Sequence, residues 1–86
     1  MLEHMNERVG VITVFNHIKN TVMPARVIWR ERTYNITKLG YHHKVKSGRT
    51  TLHIFSVCNE SMAFKLQFNT ESLIWTLEEI SDGLAS

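Results

Sequence analysis

Met62-Ala63-Phe64-Lys65-Leu66-Gln67-Phe68 decides the fold class. Positions 62, 64, 66 and 68 are apolar, and those between are small or polar. Side chains alternate faces along a strand, so the segment predicts a β-strand with one dry and one wet face. Asn69-Thr70-Glu71-Ser72 follows as a turn. Leu73, Trp75 and Leu77 then alternate with Ile74, Thr76 and Glu78, which predicts the next strand. Upstream, Arg49-Thr50-Thr51-Leu52-His53-Ile54-Phe55-Ser56-Val57-Cys58 is rich in β-branched and aromatic residues. Leu52, Ile54 and Cys58 share one face of it; His53, Phe55 and Val57 share the other. Both faces are fairly apolar, so this strand is expected to be central or covered on both sides. Ser47-Gly48 and Asn59-Glu60-Ser61 supply its turns.

Further out, Val27 and Trp29 alternate with Arg26, Ile28 and Arg30, and Tyr34 and Ile36 with Asn35 and Thr37. Between them lies a tight reversal. Pro24 cannot donate to a ladder and suits a strand start. Val9-Gly10-Val11-Ile12-Thr13-Val14-Phe15 reads as a first strand, and residues 16–23 as either a connection or a short helical turn. Six short strands at this spacing predict an all-β domain, a small antiparallel barrel or sandwich. The chain has 86 residues, 43% of them hydrophobic. That is one domain over 1–86, with its core over residues 8–80. It excludes most multi-part enzymes, a dinucleotide-binding fold and a repeat array. Trp29, Phe55, Phe64, Phe68, Trp75 and Leu77 are the expected core.

Cys58 is the single cysteine, so no intrachain disulfide forms. A secreted domain this small usually carries several. The expectation is a reduced, cytoplasmic, bacterial-type protein. There is no apolar run of ~18 residues to cross a membrane as a helix. Met1-Leu2-Glu3-His4-Met5-Asn6-Glu7-Arg8 lacks the pattern of a signal peptide. Residues Ser81–Ser86 are expected to fray.

The net charge of +2 hides an asymmetry. Residues 26–49 hold seven cations (Arg26, Arg30, Arg32, Lys38, Lys44, Lys46 and Arg49) against Glu31, a net +6. The remainder holds three cations against seven anions, a net −4. Two basic turns on one small domain suit phosphates. The candidate nucleic-acid contacts are Arg30, Arg32, Lys44, Lys46 and Arg49, with Tyr41 and His42 as rings for base stacking. The same cations also serve as solvated turn charges that keep strand edges soluble. The opposite charge of the two parts also suits self-association as a homodimer.

Around the Ser47-Gly48 turn, His42 or His43 falls across from His53. Adjacent strand residues point to opposite faces, so only one of the pair joins it. Two histidines fall short of the four ligands of a structural zinc site, and no metal or other cofactor is expected. Cys58 lies an odd offset from His53 and reads as a packed thiol. No nucleophile elbow, phosphate loop or carboxylate pair is present, so the residues point to no enzyme.

Pro24-Ala25-Arg26-Val27-Ile28-Trp29-Arg30-Glu31-Arg32-Thr33-Tyr34-Asn35-Ile36 resembles a motif of small uncharacterised bacterial all-β proteins. That motif has a proline, an apolar residue, Trp-Arg-Gly-Arg, one residue, then Tyr and an apolar residue. The likeness continues through Leu39-Gly40-Tyr41-His42-His43 and Arg49–Val57 and ends in Leu73–Glu79. Similar domains end Y-family-like DNA polymerases that act as mutagenesis accessories. The resemblance implies a small β domain and brings no activity with it. Glu31 stands where the family has glycine. Glycine takes a positive φ cheaply and glutamate does not, so either the turn type differs or strain is tolerated. The functional expectation is a non-enzymatic module that contacts single-stranded nucleic acid; the alternative is a protein-interaction or self-association domain.

Overall fold

The computed structural model describes residues 2–82. Seven strands follow one another: β1 (Leu2–Asn16), β2 (Thr21–Trp29), β3 (Arg32–Asn35), β4 (Lys38–Ser47), β5 (Thr50–Cys58), β6 (Met62–Asn69) and β7 (Trp75–Asp82). They form one antiparallel sheet in the order β3-β2-β1-β7-β6-β5-β4. The all-β class is as expected. The strand beyond the expected six is β4, which the sequence offers only through the pairing of residues 42–43 with β5 around the Ser47-Gly48 turn; its residues are all exposed except half-buried Leu39. An edge strand with so little to bury has no apolar alternation to read.

β1 is longer than Val9–Phe15. Its first part pairs with β7 and its second with β2. A register shift between His4 and Glu7 accompanies a left-handed Asn6 (φ 53°), which interrupts the pattern. β2 starts at Thr21, before Pro24. The proline sits at a bulge: Ile12 faces Arg26 and Thr13 faces Pro24, so Ala25 is the extra residue. Residues 17–20 form the turn of the β1–β2 hairpin, not a helix. Asn16 Oδ1 accepts the N–H groups of Ile18 and Lys19 there, at 3.0 and 3.1 Å. Asn59 caps Ser61 and Met62 in the same way, and Asn69 caps Glu71 and Ser72. Three of the hairpins thus open on an asparagine whose side chain replaces a backbone acceptor. Leu73 is not in β7. It is exposed in the preceding turn, with φ 63°. The chain beyond Asp82, where fraying was expected, lies outside the described residues; Ser81 is paired with both Leu2 and Ala63.

The core joins Val27 of β2, Phe55 and Val57 of β5, Phe64 and Leu66 of β6, and Leu77 and Ile80 of β7. Leu66 and Leu77 face one another across the β6–β7 ladder and are both 0% exposed. Of the expected core, Phe55, Phe64 and Leu77 are buried, while Trp29, Phe68 and Trp75 pack at its margin. β5 lies between β4 and β6, one strand in from the edge, with Ile54 buried on one face and Phe55 on the other, so it is covered on both sides rather than central.

The ladder is open, with β3 and β4 as its edges. Two residues connect them. Ile36 N–H donates to Ala25 O on β2 (2.9 Å), and Thr37 N–H donates to Cys58 O on β5 (3.0 Å). The sheet curls enough for Tyr34 of β3 to meet Phe64 of β6 edge-on, 5.5 Å between centroids. Asn59 Nδ2 also donates to Asn35 O (3.1 Å). At Gly40 the β4–β5 register shifts, and a Cβ there would lie 3.0 Å from Ser56 O.

Candidate binding surface at the open edges

The β2–β3 turn is the two residues Arg30 and Glu31, held between paired Trp29 and Arg32. Their φ values are 53° and 67°, the left-handed pair that a two-residue hairpin requires. Glu31 therefore bears the strain that a glycine would avoid; the turn type is not changed to spare it. Side chains hold the turn in place. Arg30 Nη2 donates to Glu7 Oε2 (2.7 Å), and Trp29 Nε1 donates to Glu7 Oε1 (2.8 Å). The guanidinium lies 4.7 Å from the Trp29 ring centroid. The hydrogen bond from Arg30, then that from Trp29, holds the Glu7 carboxyl below its ordinary range. Arg30 is thus committed to Glu7 and Trp29. It does not stand with the free cations.

The two basic turns do not share one end of the sheet. Trp29 borders a cleft with Met62 and Asp82, where β6 begins and β7 ends. The Gly48-Arg49 turn lies beside the β6–β7 turn, at the other end of β6. There Thr70 Oγ1 donates to Thr51 O (2.8 Å) and Thr50 Oγ1 to Glu71 Oε1 (3.3 Å). Gly48 supplies the positive φ of that turn (63°). What unites the cations is the strands they occupy. Arg26, Arg32, Lys38, Lys44, Lys46 and Arg49 are exposed on β2, β3, β4 and the turn after β4. Among the described residues none of these six has a carboxylate partner. The carboxylates concentrate elsewhere, with Glu78 and Glu79 on β7.

The β4–β5 register places His42 across from Phe55 and Lys44 across from His53. His42 stacks on Phe55, 4.3 Å between centroids and 3° between planes. Its Nε2 lies 2.7 Å from His53 Nδ1. One nitrogen of that contact donates and the other accepts, so the pair suits neutral imidazoles. Burial first, then the charges of His53 and Lys44, lowers the His42 pKa from its ordinary value. Burial and then Lys44 do the same for His53. His43 takes the other face, stacked with Tyr41 at 5.3 Å. Only one of the adjacent histidines joins His53, as strand geometry requires. Tyr41 and His42 therefore do not form one stacking platform; the exposed ring pair is Tyr41 with His43. Among the described residues no three His, Cys, Asp or Glu side chains are grouped to hold a metal ion.

A groove that sequence reasoning missed runs between the β1–β2 hairpin and β4. It has a volume of about 530 Å³ and is lined by residues including Val22, Pro24, Ile36, Leu39 and His42. A second hollow, lined by Val22, His53, Phe55, Phe68 and Trp75, adjoins it at Val22. The signal was there: Val14, Phe15, Ile18 and Val22 are more apolar than a solvated hairpin needs, and Ile18 is 83% exposed.

Comparison with protein-family models, curated proteins and solved structures finds no match to this chain. Among the described residues no helix is long and apolar enough to cross a membrane.

Proposed function

We propose that the protein is a non-enzymatic binding module that contacts single-stranded nucleic acid along β2, β3 and β4. One observation carries this reading: among the described residues five exposed cations without carboxylate partners, Arg32, Lys38, Lys44, Lys46 and Arg49, occupy the two edge strands of the sheet and the turn after β4, and Arg26 joins them from the neighbouring β2. Arg32, Lys38, Lys44, Lys46 and Arg49 meet phosphates, and the Tyr41–His43 pair offers rings to bases. A flexible single strand can follow cations spread along the edges, which a rigid duplex does less well. Fluorescence anisotropy with a labelled oligonucleotide tests it. At ~50 mM salt, where phosphate contacts are strong, binding is expected, and it is lost in a Lys44→Glu/Lys46→Glu/Arg49→Glu variant. No binding by the unaltered protein at that salt contradicts the reading. Protein interaction, self-association included, is the second reading. It rests on the exposed Val14, Phe15 and Ile18 of the β1–β2 hairpin.

A further inference from the structure

The strand registers line up one row of side chains across four strands. Lys44 of β4 faces His53 of β5, His53 faces Phe68 of β6, and Phe68 faces Trp75 of β7. Directly paired residues share a face, so the row stands on the face that carries Phe55, Leu66 and Leu77. Its rings are neighbours: His53 and Phe68 lie 6.4 Å apart between centroids, and Phe68 and Trp75 4.7 Å. All three are only half-buried. With Thr13 and Val22 of the β1–β2 hairpin they border the hollow of about 320 Å³ beside Phe55. The His53 ring is held by its 2.7 Å contact with His42. Among the described residues no carboxylate lines the hollow. Lys46 lies two residues beyond Lys44 on the same face, and exposed Arg49 follows in the turn. Tyr41 and His43 pair with Ser56 and Ile54 and take the opposite face.

We propose that this hollow seats an unstacked base of the bound single strand, stacked on Phe68 and Trp75, while the flanking phosphates meet Lys44 and Lys46. The inference rests on the nucleic-acid reading and deepens it by naming where a base goes. Charge decides the occupant. An apolar side chain would fill the hollow and leave Lys44 and Lys46 unanswered, whereas a nucleotide brings a ring and an anion together. Such stacking tolerates any base, because every base has a π-face. The contact touches β7 at Trp75, three residues before Glu78. The Tyr41–His43 pair remains a second ring site on the other face.

The probe is a labelled oligothymidine of about ten nucleotides, and its control is the same sugar–phosphate chain without bases. By anisotropy at ~50 mM salt the control is expected to bind at least ~10-fold more weakly. The Trp75 indole N–H resonance is expected to move when the oligothymidine binds. That of Trp29, at the opposite end of β6 and bonded to Glu7, is expected to stay in place. Phe68→Leu keeps an apolar side chain at the margin of the core. It is expected to bring the oligothymidine down towards the affinity of the control and to leave the control unchanged. Equal binding of the two chains, or an unmoved Trp75 resonance with oligothymidine bound, overturns the base site and leaves the phosphate contacts standing. No binding of either chain overturns both. The comparison of the two chains uses the unaltered protein, so it decides the matter whether or not Phe68→Leu folds.

Discussion

The two ends of the β1–β2 hairpin obey the same pairing rules and end in different states. At the β2–β3 end, Trp29 and Tyr34 pack on the core and Glu7 binds both Trp29 and Arg30. Trp29, Tyr34, Arg30 and Glu7 there all have partners inside the molecule, and of the cations only Arg32 stays exposed without a carboxylate. At the other end, Val14, Phe15, Ile18 and Val22 are exposed, the strand edges are unpaired, and the nearby cations lack carboxylates. The difference separates what holds this domain together from what is free to hold something else.

The largest expected effect lies on the closed side. Leu77→Ala empties a site that is 0% exposed, and chemical denaturation should show a loss of about 3 kcal/mol. A loss under about 1 kcal/mol would mean that the core there is not as closed as described. Glu31→Gly should act in the opposite direction. It relieves a left-handed glutamate and should raise stability by about 0.5 to 1 kcal/mol, read from the unfolding midpoint. A decrease would show that the glutamate side chain contributes more than its backbone costs.

Acid should find the histidine pair. His42 and His53 both titrate below the ordinary value of 6.5 in the folded state. Between that value and the lowered ones the unfolded chain binds more protons, so stability falls as pH drops. The contribution is whole above 6.5 and fades below it. Thermal unfolding at about pH 7.5 and about pH 5 should show the drop, and His42→Phe, which keeps the stack on Phe55, should show a smaller one. An unaltered drop would place the effect at other groups. The smallest effect belongs to the open side: Val14→Glu should change stability by no more than about 0.5 kcal/mol, because the position is exposed.

The sequence reveals what the closed side uses. Residues 62–68 bury one face, so their period of two is visible, and β5 reads as covered on both sides because both of its faces are apolar. β4 shows no alternation, because an exposed edge strand needs none, and is legible only through the Ser47-Gly48 turn that pairs residues 42–43 with β5. The site is legible only in pieces. Charge counting finds the basic segment, and strand parity explains why only one of His42 and His43 can join His53. Neither shows that Glu7, far away in the chain, captures Arg30, since that contact depends on the β1–β2 register. The groove shows in sequence only as an over-apolar β1–β2 hairpin at Val14, Phe15, Ile18 and Val22; its other wall is hidden, because it lies between two strands that never pair.

The most direct test is to map amide chemical shifts as a single-stranded oligonucleotide is titrated into the protein. The changes should fall on Arg32 and on β4 from Lys38 to Lys46, continuing to Arg49, and spare Glu78 and Glu79 of β7. Changes centred on β7, or none at ~50 mM salt, would contradict a nucleic-acid surface at the open edges.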